Sequence, residues 1–137
     1  MNTKLYKKVH TQAIEMLKAA DSEDDANFQR LYEELKELCE EHEDTEKNHP
    51  VQWETLADFT EDEALALDIY TKALDYAQAI EARDYMASIC YAMALIYKEN
   101  DAEQALKSAK QAATHAENIE DKELQREIRA LVKSLYQ

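Results

Sequence analysis

Apolar residues recur at spacings of three and four along almost the whole chain, which is the period of an amphipathic helix. No run of four or more residues alternates apolar and polar positions in the way that a half-buried strand does. The pattern divides into segments whose apolar positions begin at Leu5, Phe28, Val51, Leu65, Tyr85, Ala102 and Leu124. We therefore expect an all-α protein of about seven antiparallel helices with short connections.

Polar residues separate the first three segments. Residues 21–25 are expected to break the first helix, with Ser22 and Asp25 as a capping pair for the second. Residues 43–49 are polar and aperiodic and are interpreted as a linker. Pro50 then begins the third helix, because its missing N–H costs nothing in a first helical turn.

Capping boxes mark two of the later helices. Thr60-x-x-Glu63 predicts the start of the fourth helix, and Asn100-x-x-Glu103 predicts the start of the sixth. The fifth helix follows Asp84 and is apolar nearly all round, so it is expected to be the central, buried element.

The composition excludes several classes of function. The chain of 137 residues has no glycine and one proline. Walker and Rossmann phosphate loops, the nucleophile elbow and the EF-hand turn all need glycine, where φ must be positive or where a backbone amide approaches a ligand closely. The sequence therefore predicts none of these sites.

The charge is strongly acidic, with 30 acids against 16 bases and a net charge of −14. Such a chain lacks the basic footprint of a nucleic-acid binder, and an anionic membrane surface would repel it. The longest uncharged apolar stretch, residues 85–97, is shorter than the roughly 20 residues that span a bilayer. We therefore expect a cytoplasmic protein with no nucleic-acid or membrane partner, in which Cys39 and Cys90 are free, buried thiols.

Short motifs in the second half follow the pattern of a known repeat. Ala66-x3-Tyr70-x2-Ala73-Leu74 and Ala105-x3-Ala109-x2-Ala112 share one frame, and Trp53-x2-Leu56-Ala57 precedes them. Over residues 50–118 these motifs resemble the tetratricopeptide repeat (TPR), a helical hairpin that stacks on its neighbours. The repeat distance is longer than usual and Ala109 replaces an aromatic residue, so a plain helical bundle stays open as an alternative.

The resemblance implies an architecture and a groove. It divides a single domain, residues 1–137, into a degenerate helix pair over 1–42, two TPR-like pairs over 50–118 and a capping helix over 120–136. In such repeats the first helix of each pair lines a concave groove that grips a peptide or helix. If Trp53 and Ile89 take equivalent buried positions, the resemblance places five residues in that groove: Glu54, Asp58, Cys90, Ala94 and Tyr97.

The charge distribution fits a basic partner for such a groove. Residues 21–64 hold 17 acids and 3 bases, so this segment carries a net charge equal to that of the whole chain. A surface of one sign can steer a partner of the opposite sign, although it can also serve solubility alone. We therefore expect a monomer or weak homodimer that binds a basic or amphipathic segment of another protein. A stripe on the seventh helix could dock on a second copy; it comprises Lys122, Arg126, Arg129 and Lys133.

Metal binding and catalysis are weakly indicated. Cys39-x2-His42 and Glu46-x2-His49 have ligand-like spacing, but neither completes a set of four ligands. We therefore expect no metal, no cofactor and no enzymatic activity, and the leading hypothesis is a protein–protein interaction scaffold. A small acidic TPR-type secretion chaperone is the first alternative. A helical-bundle enzyme or small-ligand-binding protein that uses the tyrosine-rich centre is the second.

Overall fold

The structure is a computed structural model that describes residues 3–136. It contains seven α-helices: α1 (Thr3–Asp21), α2 (Asp25–His42), α3 (Pro50–Asp58), α4 (Glu63–Ala79), α5 (Arg83–Tyr97), α6 (Ala102–His115) and α7 (Lys122–Leu135). A short 3-10 turn, Ala116–Asn118, lies between α6 and α7, and the described part of the chain has no strand. The prediction of an all-α fold with about seven helices is confirmed.

The helices pack mainly in sequence order. Consecutive helices contact one another from α1 to α7, and α5 with α6 makes the most extensive of these contacts. In addition, α1 contacts α3 and α3 contacts α5, whereas no comparable contact within residues 3–136 joins α2 to α4 or α4 to α6. One side of the fold is therefore formed by α1, α3 and α5, which we call the first-helix side.

The hydrophobic core is continuous from α1 to α5 and then passes to α6 and α7. Its largest cluster includes Met16, Leu35, Trp53 and Ile89. The contact between α5 and α6 is built from small side chains, because Ala109 and Ala112 of α6 are fully buried. Small residues allow two helix backbones to approach closely, which explains why α5 and α6 make the most extensive contact.

Two helix ends use a glutamate where glycine is usual. Glu23 and Glu81 have positive φ values of 57° and 54°, just after α1 and α4. At each end the two following backbone amides bond back to the helix, as Glu81 N to Gln78 O at 3.1 Å and Ala82 N to Ala77 O at 2.9 Å show. This is the Schellman arrangement, which favours glycine because a β-carbon is disfavoured in the left-handed conformation.

Three predicted N-caps are wrong. Aspartates cap the helices instead: Asp24 for α2, Asp62 for α4 and Asp101 for α6. Each carboxylate accepts a hydrogen bond from a backbone amide in the first turn, which a short acidic side chain does well. The predicted caps do other things. Ser22 and Thr60 donate to carbonyls of the preceding helix, and α6 begins after Asp101, one residue beyond Asn100.

The connection between α2 and α3 is an ordered structure rather than a loose linker. His49 caps α3 by accepting from Val51 N at 3.1 Å, and the Gln52 side chain reaches back to the main chain of this segment. Trp53 Nε1 donates to Asn48 Oδ1 at 2.8 Å, and Lys72 lies over the Trp53 ring at 4.5 Å. These side chains fix residues 43–49 against α3 and α4.

Candidate functional site

An open cleft lies on the first-helix side of the described chain. It has a volume of about 670 Å³ and lies between α3, the α4–α5 turn, α5 and the start of α7. Five acids line it: Glu54, Glu81, Asp84, Glu120 and Asp121. Arg83 is the basic residue among the lining side chains, and Tyr85, Ile119 and Leu124 provide apolar surface. We call this feature the carboxylate cleft.

Glu54 is the carboxylate that α3 contributes to this cleft. Its Oε2 accepts a hydrogen bond of 2.6 Å from the Ser88 hydroxyl of α5. Burial raises the pKa of Glu54 to about 7, the nearby charges of Asp58 and Asp84 add to the rise, and the Ser88 hydrogen bond opposes it. Near neutral pH the Glu54 carboxyl therefore exchanges between its neutral and charged forms.

Asp58 lies one helical turn beyond Glu54 on α3. The Tyr70 hydroxyl of α4 donates a hydrogen bond to Asp58 Oδ1. Asp58 as a residue is exposed, but its carboxyl is turned against the buried Tyr70, so desolvation raises the pKa of Asp58 while the hydrogen bond lowers it. Burial and the two carboxylates raise the pKa of Tyr70, which therefore stays a neutral donor.

An aromatic pair lies beside these acids. The rings of His49 and Tyr85 meet edge to face with centroids 5.1 Å apart. Burial raises the pKa of Tyr85 to about 12, and Tyr6, Asp84 and Glu54 contribute to the rise. Burial also lowers the pKa of His49, whose Nδ1 accepts the capping hydrogen bond from Val51. His49 is therefore neutral at pH 7 and adds no positive charge beside the cleft.

The acids of the cleft have no cationic partner of their own. Within residues 3–136 the ion pairs are Arg30–Glu34 and Lys72–Glu43, and neither includes a residue of the carboxylate cleft. The Glu54 carboxylate is satisfied by a neutral hydroxyl instead. A positive group entering the cleft would therefore meet five acids, none of which forms an ion pair in the described chain, and a single base, Arg83.

The structure brings together only part of the predicted groove. Glu54 lines the cleft, and Asp58 follows it on the same helix. The placement of Cys90 and Ala94 in an open groove is wrong, because both are buried, at 1% and 0% exposure, where α5 faces α6 and α7. Tyr97 is half-buried and packs against the main core cluster, so its role in a groove stays a prediction.

Asp84, Tyr85 and Ser88 also line the cleft and were not predicted as site residues. These residues occupy the first two turns of α5, and two of them contact α3, through the Ser88–Glu54 hydrogen bond and the Tyr85–His49 ring contact. A signal for Ser88 was present, since it is a polar residue within an otherwise apolar helix and lies four residues after Asp84 of the first turn.

Two residues of the ligand-like motifs, Cys39 and His49, have structural roles instead. Cys39 Sγ donates to Gln52 O at 3.4 Å, and His49 caps α3. Burial raises the pKa of Cys39 to about 12, with further contributions from Glu40 and Glu43, and burial raises that of Cys90 to about 11. In residues 3–136 no group of three or more His, Cys, Asp or Glu side chains is arranged to hold a metal ion.

Comparisons with known proteins leave the family open. No protein-family model matches the chain, and neither a curated protein nor a solved structure matches it. The relation to the TPR family therefore stays a prediction from the motifs of residues 50–118. In the part of the chain that the structure describes, none of the helices combines the length and the apolar character needed to cross a bilayer.

Proposed function

We propose that the protein is a non-enzymatic interaction module of TPR type that binds a lysine- or arginine-bearing segment of another protein in the carboxylate cleft. The observation that carries this proposal is the open cleft on the first-helix side, whose acids lack internal cationic partners. Its position supports the proposal, because the first helices of TPR-like pairs line the groove that takes a peptide or helix.

The chemistry of the lining also supports a cationic ligand. Carboxylates form charge-assisted hydrogen bonds with ammonium and guanidinium groups, and the face of an aromatic ring such as that of Tyr85 attracts the same groups. The apolar surface of Ile119 and Leu124 beside the acids suits an amphipathic segment. The negative charge of the whole chain speeds the encounter with a basic partner, and added salt slows it.

A pair of matched variants tests the proposal. Glu54→Gln with Asp84→Asn removes two cleft carboxyls and keeps the shape of both side chains. Glu33→Gln with Glu37→Gln removes two carboxyls from the exposed face of α2. The probes are a synthetic amphipathic helix with lysines on one face and leucines on the other, and a glutamate version of it, measured by calorimetry at low and moderate salt.

We expect the lysine probe to bind the wild type, and the glutamate probe not to bind. The cleft variant should weaken binding by about tenfold or more and reduce its salt dependence, whereas the α2 variant should change affinity by less than about threefold. Because binding of a cation requires an ionised Glu54, affinity should also be higher at pH 8 than at pH 6. Equal affinity in the two variants would refute the proposed site. If the cleft variant alone weakens binding, a tagged pull-down from native lysate with the same variants would identify the natural partner.

A further inference from the structure

A second, smaller cleft lies between the start of α1 and the end of α2. It has a volume of about 190 Å³ and is lined by Lys4, Leu5, Lys8, His42 and Lys47. We call it the lysine cleft, and it shares no residue with the carboxylate cleft. The carboxylate cleft and three further clefts each include at least one acid, whereas the lysine cleft includes none. In a chain with 30 acids, this grouping of bases is unusual.

No acid neutralises the three lysines internally. Within residues 3–136 no carboxylate lies within 4.0 Å of the ammonium group of Lys4, Lys8 or Lys47. Glu43 follows His42 in the chain, but its carboxylate is turned towards α4, where it pairs with Lys72 at 2.6 Å. Glu41 and Glu46 also adjoin lining residues in the chain, but both are exposed and neither forms an ion pair with a lysine of the cleft.

Capping of α2 does not account for the lysines either. Cations are stabilised at the carboxyl end of a helix, where the last carbonyls lack partners. At the end of α2, however, the His42 carbonyl accepts hydrogen bonds from both the backbone amide and the hydroxyl of Thr45, at 3.1 and 2.9 Å. The chain supplies these donors without using a lysine.

The backbone fixes the positions around the cleft from which the three exposed lysines extend. Lys4 and Lys8 are four residues apart on α1, so they share a helix face. Lys47 is fixed from two sides, because its amide donates to Thr45 Oγ1 at 3.2 Å and its carbonyl accepts from the buried Gln52 side chain at 3.0 Å. The main chain therefore places all three lysines around one cleft without a ligand.

We propose that the lysine cleft binds a dianionic phosphoryl group, as inorganic phosphate or as a small phosphate ester. Three ammonium groups offer donors on several sides, which matches the several acceptor oxygens of a phosphoryl group, whereas a carboxylate neutralises a single charge. Exposed acids farther away than about 8 Å are largely screened at physiological salt, so the acids that oppose binding are those next to the lining, Glu41, Glu43 and Glu46, of which Glu43 is paired with Lys72.

Titration of the isotopically labelled full chain tests the proposal. Amide shifts are followed by NMR while inorganic phosphate, and separately phenyl phosphate, replaces chloride at constant ionic strength. We expect saturable shifts confined to the amides around residues 4–8 and 42–47. Tighter binding of phenyl phosphate would identify an ester as the preferred source, and equal or tighter binding of inorganic phosphate would identify the free anion.

Two double variants of equal charge separate a site from a general charge effect. Lys8→Gln with Lys47→Gln should weaken binding by about tenfold or more, because charge-assisted hydrogen bonds are lost. Lys18→Gln with Lys36→Gln changes bases outside the cleft and should alter affinity by less than about twofold. The same spectra show whether each variant is folded. Absence of saturable shifts with both anions, or equal weakening in the two variants, would overturn the proposal. Neither result bears on the carboxylate cleft.

Discussion

The Ser88 hydroxyl of α5 donates a hydrogen bond of 2.6 Å to Glu54 Oε2 of α3, and so connects two first helices within the carboxylate cleft. Burial raises the pKa of Glu54 from 4.5 to about 7. Between these values the folded protein holds more protons at this carboxyl than the unfolded chain does. The contribution of Glu54 to the free energy of unfolding therefore falls as the pH rises from about 4.5 to about 7, and it is constant above that range.

Glu54→Gln should remove this pH dependence. The amide keeps an acceptor for Ser88 but cannot ionise, so we expect the variant to match the wild type at about pH 4 and to exceed its free energy of unfolding at pH 8 by about 1–3 kcal/mol. Urea unfolding at several pH values measures the difference. Glu37→Gln, on the exposed face of α2, is the control and should change stability by less than about 0.5 kcal/mol. An unchanged pH profile in Glu54→Gln would show that Glu54 has an ordinary pKa.

Tyr70→Phe should affect both stability and the titration of Asp58. The substitution removes the hydroxyl that donates to Asp58 and leaves the packing of the ring in place. We expect a loss of about 1 kcal/mol in the free energy of unfolding, because a partly buried acceptor loses its donor. The pKa of Asp58 should rise further in the variant, because the Tyr70 hydrogen bond lowers it in the wild type.

Carbon-detected NMR of the Asp58 carboxyl follows this titration. Tyr136→Phe is the control, because Tyr136 is 63% exposed and does not contact Asp58. A lower pKa for Asp58 in Tyr70→Phe would contradict the hydrogen bond.

The two thiols should be unreactive in the folded protein. Cys39 and Cys90 are buried, and burial raises the pKa values of their thiols to about 12 and about 11. Because the thiolate is the reactive form, we expect an aromatic disulfide reagent at pH 8 to modify neither cysteine in native protein and both in urea. Rapid modification without denaturant would show that one of the two helices carrying them opens readily.

Glu81→Gly should stabilise the protein. Glu81 has a φ of 54°, which is unfavourable for a residue with a β-carbon. Glycine adopts this conformation without that steric cost. We expect a gain of about 0.5–1 kcal/mol after the greater flexibility of glycine in the unfolded chain is included. Glu99→Gly provides the comparison. Glu99 lies in a turn without a positive φ, so glycine there should destabilise the protein by a few tenths of a kcal/mol or more. Equal changes in the two variants would argue against the left-handed conformation of Glu81.

The helices could be predicted from the sequence because their apolar spacing is a local property. The caps could not, because they depend on how each preceding helix ends. At Glu23 the chain turns through a left-handed residue, and this places Asp24, rather than Ser22, where a carboxylate can reach the amide of Asn27. In a chain with no glycine the usual marker of such an end is missing.

The candidate site was predictable for α3 and not for α5. Glu54 and Asp58 follow from the register of Trp53, which is buried as expected. On α5 the expected register of Ile89 also holds, since Ile89 is fully buried, yet Cys90 and Ala94 are buried too. The alanine face of α6 covers that side of α5, and the closeness of this packing depends on tertiary contacts that a single helical pattern does not contain.

The carboxylate cleft is complete only while the last helix, α7, is packed against the rest of the fold. Its main backbone contacts are with α6, while Leu124 and the segment Asn118–Asp121 before it form one wall of the cleft. An edge helix opens at a lower free energy than a helix enclosed on two sides, so this wall is present only while α7 is docked. A ligand held in the cleft therefore retards the opening of α7, and amide hydrogen exchange in that helix becomes a measure of occupancy at a site formed largely by other elements.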